Sequence, residues 1–275
     1  MPLKQKAGVA LAKGAVRYDN ILKSLEMVAD SISGKLSNSM RIVIKPDFFF
    51  TKQRMSTSTD AVKAVLDFIL EFTNKKITIA EGLPTGSDIR PVFHLAGFHE
   101  LADDYGLRFV DLNRDDYVAI AVSKALRLRV AKTVLNSDFI ISVAVPKLSG
   151  SSFSCAVANV AVGSVLRTGK SAATNDKQKL ISSKNYDAAV AEIMKVAKPS
   201  LAVVDGFWSV VNKKSLETNF CVASADAVAA DVVAVAALGK GLKRKILKQK
   251  YLELCSLAGI GQSSLASIKV VGEKL

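Results

Sequence analysis

Cysteine is nearly absent from this chain: Cys155, Cys221 and Cys255 are the only three in 275 residues. An odd, scattered set supplies neither a disulfide framework nor the paired spacing of a zinc or iron–sulfur site. Any iron–sulfur cluster would therefore belong to a partner and not to this chain. Histidine is scarcer still, with only His94 and His99. Aromatic residues make up 7% of the sequence, too few for the interleaved aromatic and basic surface of a single-strand nucleic-acid binder. No apolar run approaches the ~20 residues that cross a bilayer. The opening Met1-Pro2-Leu3-Lys4-Gln5-Lys6 leads into a strand-like Gly8-Val9-Ala10-Leu11, unlike the apolar core of a signal peptide. The expectation is a cytoplasmic protein with no membrane partner.

What is present is the composition of a globular protein, 49% hydrophobic and 23% charged. Thirty-eight basic residues against 25 acidic ones leave a net charge of +13, an excess that steers anions toward a surface and also keeps a protein in solution. The densest basic run is Lys240, Lys243, Arg244, Lys245, Lys248 and Lys250. Read as a helix, it makes no single basic face, while Ile246, Leu247 and Leu252 supply core contacts. A solvated face is the simpler reading, and nucleic-acid binding is left as a secondary alternative without a recognised motif.

Short β-rich runs alternate with amphipathic helices along the chain. Helical spacing joins Ile21, Leu22, Leu25, Val28, Ala29 and Ile32 behind a cap at Asp19, and joins Val62, Val65, Leu66, Ile69 and Leu70 behind Thr59 or Asp60. Strands are predicted at 41–45, 76–80, 108–111, 139–144, 201–205 and 267–271. A hairpin is predicted between Tyr117 and Val130, where Leu and Val alternate with Arg. Further helices are predicted at 156–165, 187–196, 226–238 and 243–257. This alternation predicts an α/β fold: a largely parallel, mixed central sheet covered by helices on both faces. The whole chain, 1–275, reads as one such domain, with a small inserted subdomain near 113–132 or 148–186.

The polar residues fall at informative places. The predicted strands end in Lys45-Pro46-Asp47, Ala80-Glu81-Gly82, Asp111, Pro146-Lys147 and Asp205-Gly206. Ligands of open α/β sheets bind outside the carboxyl ends of the strands, so Lys45, Asp47, Glu81, Lys147 and Asp205 are expected to share one rim. Lysines there would neutralise a small anionic ligand, and the carboxylates would bind a divalent cation or transfer protons. Asp226 reads first as a helix cap. Asp231 stands among Val228, Ala229, Ala230, Val232 and Val233, where an ionised carboxylate is costly unless it is paired, ligated or facing a cleft.

Other patterns carry less. Gly163 through Ser171 resembles a phosphate-binding loop, but five residues separate its glycines where that motif has four. Gly239-Lys240-Gly241 and Gly259-Ile260-Gly261 follow no strand. His94 and His99 suit packing around a turn, and Cys155 reads as a small buried hydrophobe.

In order along the chain, Arg17-Tyr18-Asp19-Asn20, Ile44-Lys45-Pro46-Asp47, Ala80-Glu81-Gly82, Ala96-Gly97-Phe98, Val110-Asp111-Leu112-Asn113, the segment 138–143, Pro146-Lys147-Leu148, Val204-Asp205-Gly206 and Ser224 through Asp231 resemble the motifs of the domain of unknown function 362 family. The resemblance implies a shared polar site, and redox company, because that family is often joined to ferredoxin-like domains. It also marks departures. The family's lysine-threonine-histidine step stands here as Ser149-Gly150-Ser151, an earlier threonine-histidine as Thr57-Ser58, and its lysine-asparagine pair as Ala158-Asn159 with Gly163 beyond. A histidine-ligated metal is not expected. The resulting candidates are Lys147, Asp205 and Asp231 for chemistry, with Lys45, Asp47, Thr57, Ser58, Glu81, Ser151, Asn159, Gly163 and Asp226 around the ligand. The expected function is binding of an anionic small molecule, with or without an oxygen-ligated cation, in either an enzyme of redox-associated metabolism or an enzyme-derived binder, with a ferredoxin-like protein as a candidate partner. The alternative is a scaffold that has lost its family's chemistry.

Overall fold

The computed structural model describes residues 6–48, 53–124, 126–169, 175–242 and 249–275. The chain opens with β1 (Ala7–Lys13), α1 (Arg17–Glu26), α2 (Ala29–Ser37) and β2 (Ile42–Lys45). It continues through α3 (Thr59–Ile69), β3 (Ile77–Glu81), α4 (Arg90–Leu95), α5 (Phe98–Tyr105) and β4 (Arg108–Asp111). A hairpin of β5 (Tyr117–Ser123) and β6 (Leu126–Ala131) leads to α6 (Lys132–Leu135) and β7 (Phe139–Ala144). After the short β8 (Lys147–Ser149) and β9 (Ser152–Ser154) come α7 (Ala156–Gly163), α8 (Asp176–Ile181) and α9 (Tyr186–Met194). The last part is β10 (Leu201–Val211), β11 (Lys214–Ser224), α10 (Ala227–Gly241), α11 (Lys250–Leu257) and β12 (Ile268–Gly272).

The main sheet runs in the order β12-β1-β11-β10-β7-β2-β3-β4, with β8 and β9 attached beside β10. From β10 to β4 every pairing is parallel, and antiparallel pairings enter where β11 meets β10 and β1. This is the mixed, mostly parallel sheet that the strand–helix alternation predicts. The all-buried Phe139-Ile140-Ile141-Ser142-Val143-Ala144 of β7 lies at its centre, as a continuous apolar run should when both faces are covered. The β5–β6 pair forms a separate two-stranded sheet. Within segment 148–186, α7 packs against β7, α9 and α10.

Alternation of side chains sorts each strand between two cores. Val43, Ile140, Ala202 and Val204 face the layer of α7, α9, α10 and α11. Ile42, Ile44, Ile141, Leu201 and Val203 face α1 to α5. On that second side Phe93 stacks on Phe109 with ring centres 4.5 Å apart and meets Phe48 edge-on at 5.6 Å.

Two expectations need correction, and a third lies partly outside the described residues. The helix predicted from Asp19 is two helices, α1 and α2, broken at Met27–Val28, and its N-cap position is Val16 rather than Asp19. The strand predicted at 201–205 continues to Val211 and returns as β11, which the periodicity does not reveal. The turn between them places Asn212 and Lys213 at φ of 49° and 65°, the left-handed pair of a tight hairpin. Of the helix predicted at 243–257, residues 250–257 are α11, and 243–248, with most of the basic run, lie outside the described residues. Among the described residues no helix is long and apolar enough to cross a membrane.

Truncating Phe93 would open a void beneath the segment that carries Phe48. Phe93→Ala is expected to lower unfolding free energy by about 3–5 kcal/mol, measured by urea denaturation; a loss below about 1 kcal/mol would show that the ring cluster does not anchor this layer.

Candidate functional site

Chain connections leave β2 toward β3 and β4 on one side, whereas β7 lies on the other side and is followed by β10. The strand order thus reverses between β2 and β7, and a crevice opens at their carboxyl ends, the usual ligand position in such sheets. A cavity of about 550 Å³ lies there. Lys45, Asp47, Glu81, Lys147, Asn159 and Lys177 belong to its polar lining together with Asp187, Gln249, Ser152 and Ser154, Gly163 lies among them, and Phe48, Phe153, Val162, Ile181, Tyr186 and Tyr251 make much of its apolar wall.

Lys45 is the last residue of β2 and has the parity of Val43, so its side chain runs under α7. It is 1% exposed. Its Nζ donates to Glu81 Oε2 at 2.6 Å, to Asn159 Oδ1 at 3.0 Å and to the Pro46 carbonyl at 3.3 Å. All three ammonium donors therefore have an acceptor, the condition under which a lysine can be buried charged. Asn159 is fixed in turn by donating Nδ2 to the Lys45 carbonyl at 3.0 Å and to Ser142 Oγ at 3.1 Å. Glu81 Oε1 accepts from its neighbour's Gly82 N–H at 2.7 Å. Burial pushes the Glu81 carboxyl above its ordinary pKa, against the pull of Lys45 and Lys177.

Gly163 makes room for this arrangement. A Cβ on Gly163 would lie 2.1 Å from Lys45 Cε and 2.3 Å from Nζ. Asp47 is held by backbone contacts to Thr57, whose Oγ1 accepts from Asp47 N–H at 2.8 Å and donates to the Val143 carbonyl at 2.7 Å. The Asp47 carboxylate pairs with Lys147 at the start of β8. Lys147 is about one-fifth exposed, so this second ion pair faces the cavity with partial access to water.

Lys177, on α8, is the third lysine of the lining. Its Nζ donates to the Gly82 carbonyl at 2.6 Å and to Asn113 Oδ1 at 3.3 Å, and no carboxylate lies within ion-pair distance among the described residues. Burial lowers its pKa to about 7, assisted by Lys45 and Arg167 and opposed by Glu81 and Asp111.

The structure does not bring every sequence candidate to this cavity. Asp205 shares the parity of Leu201 and Val203, so it points to the opposite face of the sheet, where Arg17 Nε donates to it at 3.1 Å. Because β10 continues past it to pair with β11, Asp205 is a mid-strand residue and not the end of a strand. Asp231 is wholly buried in α10 and accepts from Ala156 N–H at 2.8 Å and Val157 N–H at 3.1 Å, capping α7 from a distance. Asp226 caps α10 through Ala229 N–H and also accepts from Gln262 N–H. Ser58 caps α3 through Asp60 N–H. Ser151 lies in the exposed β8–β9 turn, where its carbonyl accepts from Gln249. Thr57 supports Asp47 without lining the cavity. The phosphate-loop-like segment runs through 170–171, outside the described residues.

Sequence reasoning missed Lys177, Tyr186 and Tyr251. For Lys177 a weak signal exists: it stands three residues before the buried Leu180, on the same face of one helix.

The family described as "Domain of unknown function (DUF362)" matches residues 42–236. That is more than half of the chain, and the chain belongs to this family. Among solved structures, the lactate racemase apoprotein from Thermoanaerobacterium thermosaccharolyticum is similar at 15% identity and a TM-score of 0.48, over 81% of this chain and 54% of that one. A protein from Thermotoga maritima is similar at 12% identity and a TM-score of 0.40, over 90% of this chain and 60% of that one. The chain thus spans between half and two thirds of either. No curated protein matches it.

Two outcomes are expected of this geometry. Gly163→Ala forces a methyl group onto Lys45, and overpacking of this kind costs about 1–3 kcal/mol; urea denaturation should show that loss, and unchanged stability would mean that Lys45 is not held against α7. Asp231 titrates near 7 in the folded protein because burial outweighs its two backbone donors. A raised carboxyl pKa contributes stability that is fully present below the unfolded value and is lost as pH rises through the folded one. The unfolding free energy of the native chain relative to Asp231→Asn should therefore fall between about pH 4 and about pH 8; a difference independent of pH would refute the assignment.

Proposed function

We propose that this chain, a member of the domain of unknown function 362 family, binds a small anionic molecule with an apolar or aromatic body in the cavity at the carboxyl ends of β2, β3 and β7. The observation that carries the reading is the convergence of Lys45, Lys147 and Lys177 on one cavity at the reversal point of the sheet. Only Lys45 and Lys147 are matched by ion-paired carboxylates. Lys147 has the access to water that an incoming anion needs, and its bond to Asp47 is the one a ligand can compete for. Lys45 is fully engaged and serves as the fixed floor.

The cavity's size agrees with this use, since small-molecule sites span ~300–1,000 Å³ and combine apolar walls with a few convergent polar groups. Phe153, Tyr186 and Tyr251 offer the apolar surface, which favours a carboxylate or phosphate ester on a ring or hydrocarbon over a bare inorganic ion. The divalent cation considered from sequence finds less support. Asp47 and Glu81 each already face a lysine, and among the described residues no group of three or more His, Cys, Asp or Glu side chains is placed to hold a metal ion.

Benzoate is a suitable minimal probe. It should bind at one site by isothermal titration calorimetry, and Lys147→Ala should weaken binding roughly ten- to a hundredfold, as loss of a charged hydrogen-bond partner does. The variant's circular dichroism should match that of the native protein. Equal affinity in the two proteins would overturn the reading.

A further inference from the structure

Lys177 differs from the other two lysines of the cavity in what surrounds its nitrogen. An ammonium carries three N–H donors and no lone pair, whereas a neutral amine carries two donors and one lone pair. Lys45 has three acceptors, the set an ammonium requires. Among the described residues Lys177 has two, the Gly82 carbonyl and Asn113 Oδ1, and the residue is 4% exposed. Both donors of a neutral amine are thus satisfied, and the lone pair is left over on a residue that lines the cavity. From this geometry we infer that Lys177 is an amine nucleophile that condenses with the carbonyl group of an anionic aldehyde or ketone bound in the cavity, forming an imine. The inference rests on the anion-binding reading above and names the substrate class more narrowly.

The charged surroundings agree. Lys45 and Arg167 disfavour a further positive charge, Glu81 and Asp111 favour one, and burial outweighs the latter pair. On its own helix, Asp176 is occupied by Arg129 and Lys179. An amine with a pKa near 7 is free-base in roughly a thousandfold larger fraction at neutral pH than an ordinary lysine, at tenfold per unit, and free base is the form that attacks a carbonyl. The step balances without an oxidant or reductant. The nitrogen lone pair forms the C–N bond, the carbonyl π pair moves to oxygen, and both amine protons leave with that oxygen as water. Lys147 would hold the anionic group of the same molecule.

The test uses 4-carboxybenzaldehyde, which joins a carboxylate, a ring and an aldehyde, with sodium borohydride to trap any imine, followed by peptide mass mapping of the whole 275-residue chain. Lys177 is expected to be labelled at least ten times faster than any other described lysine, and excess benzoate, which lacks the aldehyde, should suppress that labelling. Lys177→Arg, which removes the primary amine and keeps the positive charge, should lose the label. If benzoate binds but the label spreads over exposed lysines and spares Lys177, the nucleophile is refuted and the anion site stands. If benzoate does not bind and Lys177 is not labelled, both fall. Because the native protein gives the decisive reading, a variant that failed to fold would not rescue the proposal.

Discussion

One buried charge organises the centre of this molecule. Lys45 is an ammonium removed from water at the end of a central strand, and such a group is tolerated only when its donors are all met. Meeting them recruits Glu81 from β3, Asn159 from α7 and the Pro46 carbonyl. A side chain at residue 163 is excluded in the same stroke, because the lysine stem occupies that space. Two strands and a helix are thereby locked in one relative position. The cavity is what remains beside that lock, and its polar lining is in large part the lock itself.

Not every buried carboxylate in the chain is a ligand for something outside it. Asp231 and Asp226 spend their oxygens on backbone N–H groups at the starts of α7 and α10, where the orphaned donors of a helix end need acceptors. Asp205 joins α1 to the sheet through Arg17. Burial raises the pKa of all three, so a perturbed carboxyl is not by itself a mark of chemistry. Unlike Asp47 and Glu81, none of these three lines the cavity at the strand ends.

The two faces of the sheet divide the labour. The side toward α1 to α5 is packed with rings, Phe48, Phe93, Phe98 and Phe109 among them. The side toward α7 and α10 is built largely from alanine and valine, whose small side chains let the helices approach the sheet and leave the larger Tyr186, Tyr251 and Phe153 to wall the cavity at its edge.

By itself the sequence determined the alternation of strand and helix, the central position of residues 139–144 and the gathering of Lys45, Asp47, Glu81 and Lys147 where strands end, because hydrophobic periodicity and chain direction are local properties. It could not say that residues 201–205 run on into a hairpin, since Asn212-Lys213 is not a strong turn signal and the outer half of β11 alternates poorly. Nor could it say which face of the sheet each charge meets. Asp205 and Lys45 both appeared at strand ends, yet one-residue parity in register sends them to opposite cores. Lys177 belongs to the polar stretch 167–186, whose composition carries no sign of burial. Only the packing of α8 over the Glu81–Gly82 corner decided that its amine is buried, because burial is a property of what other segments place around a residue and not of the residue itself.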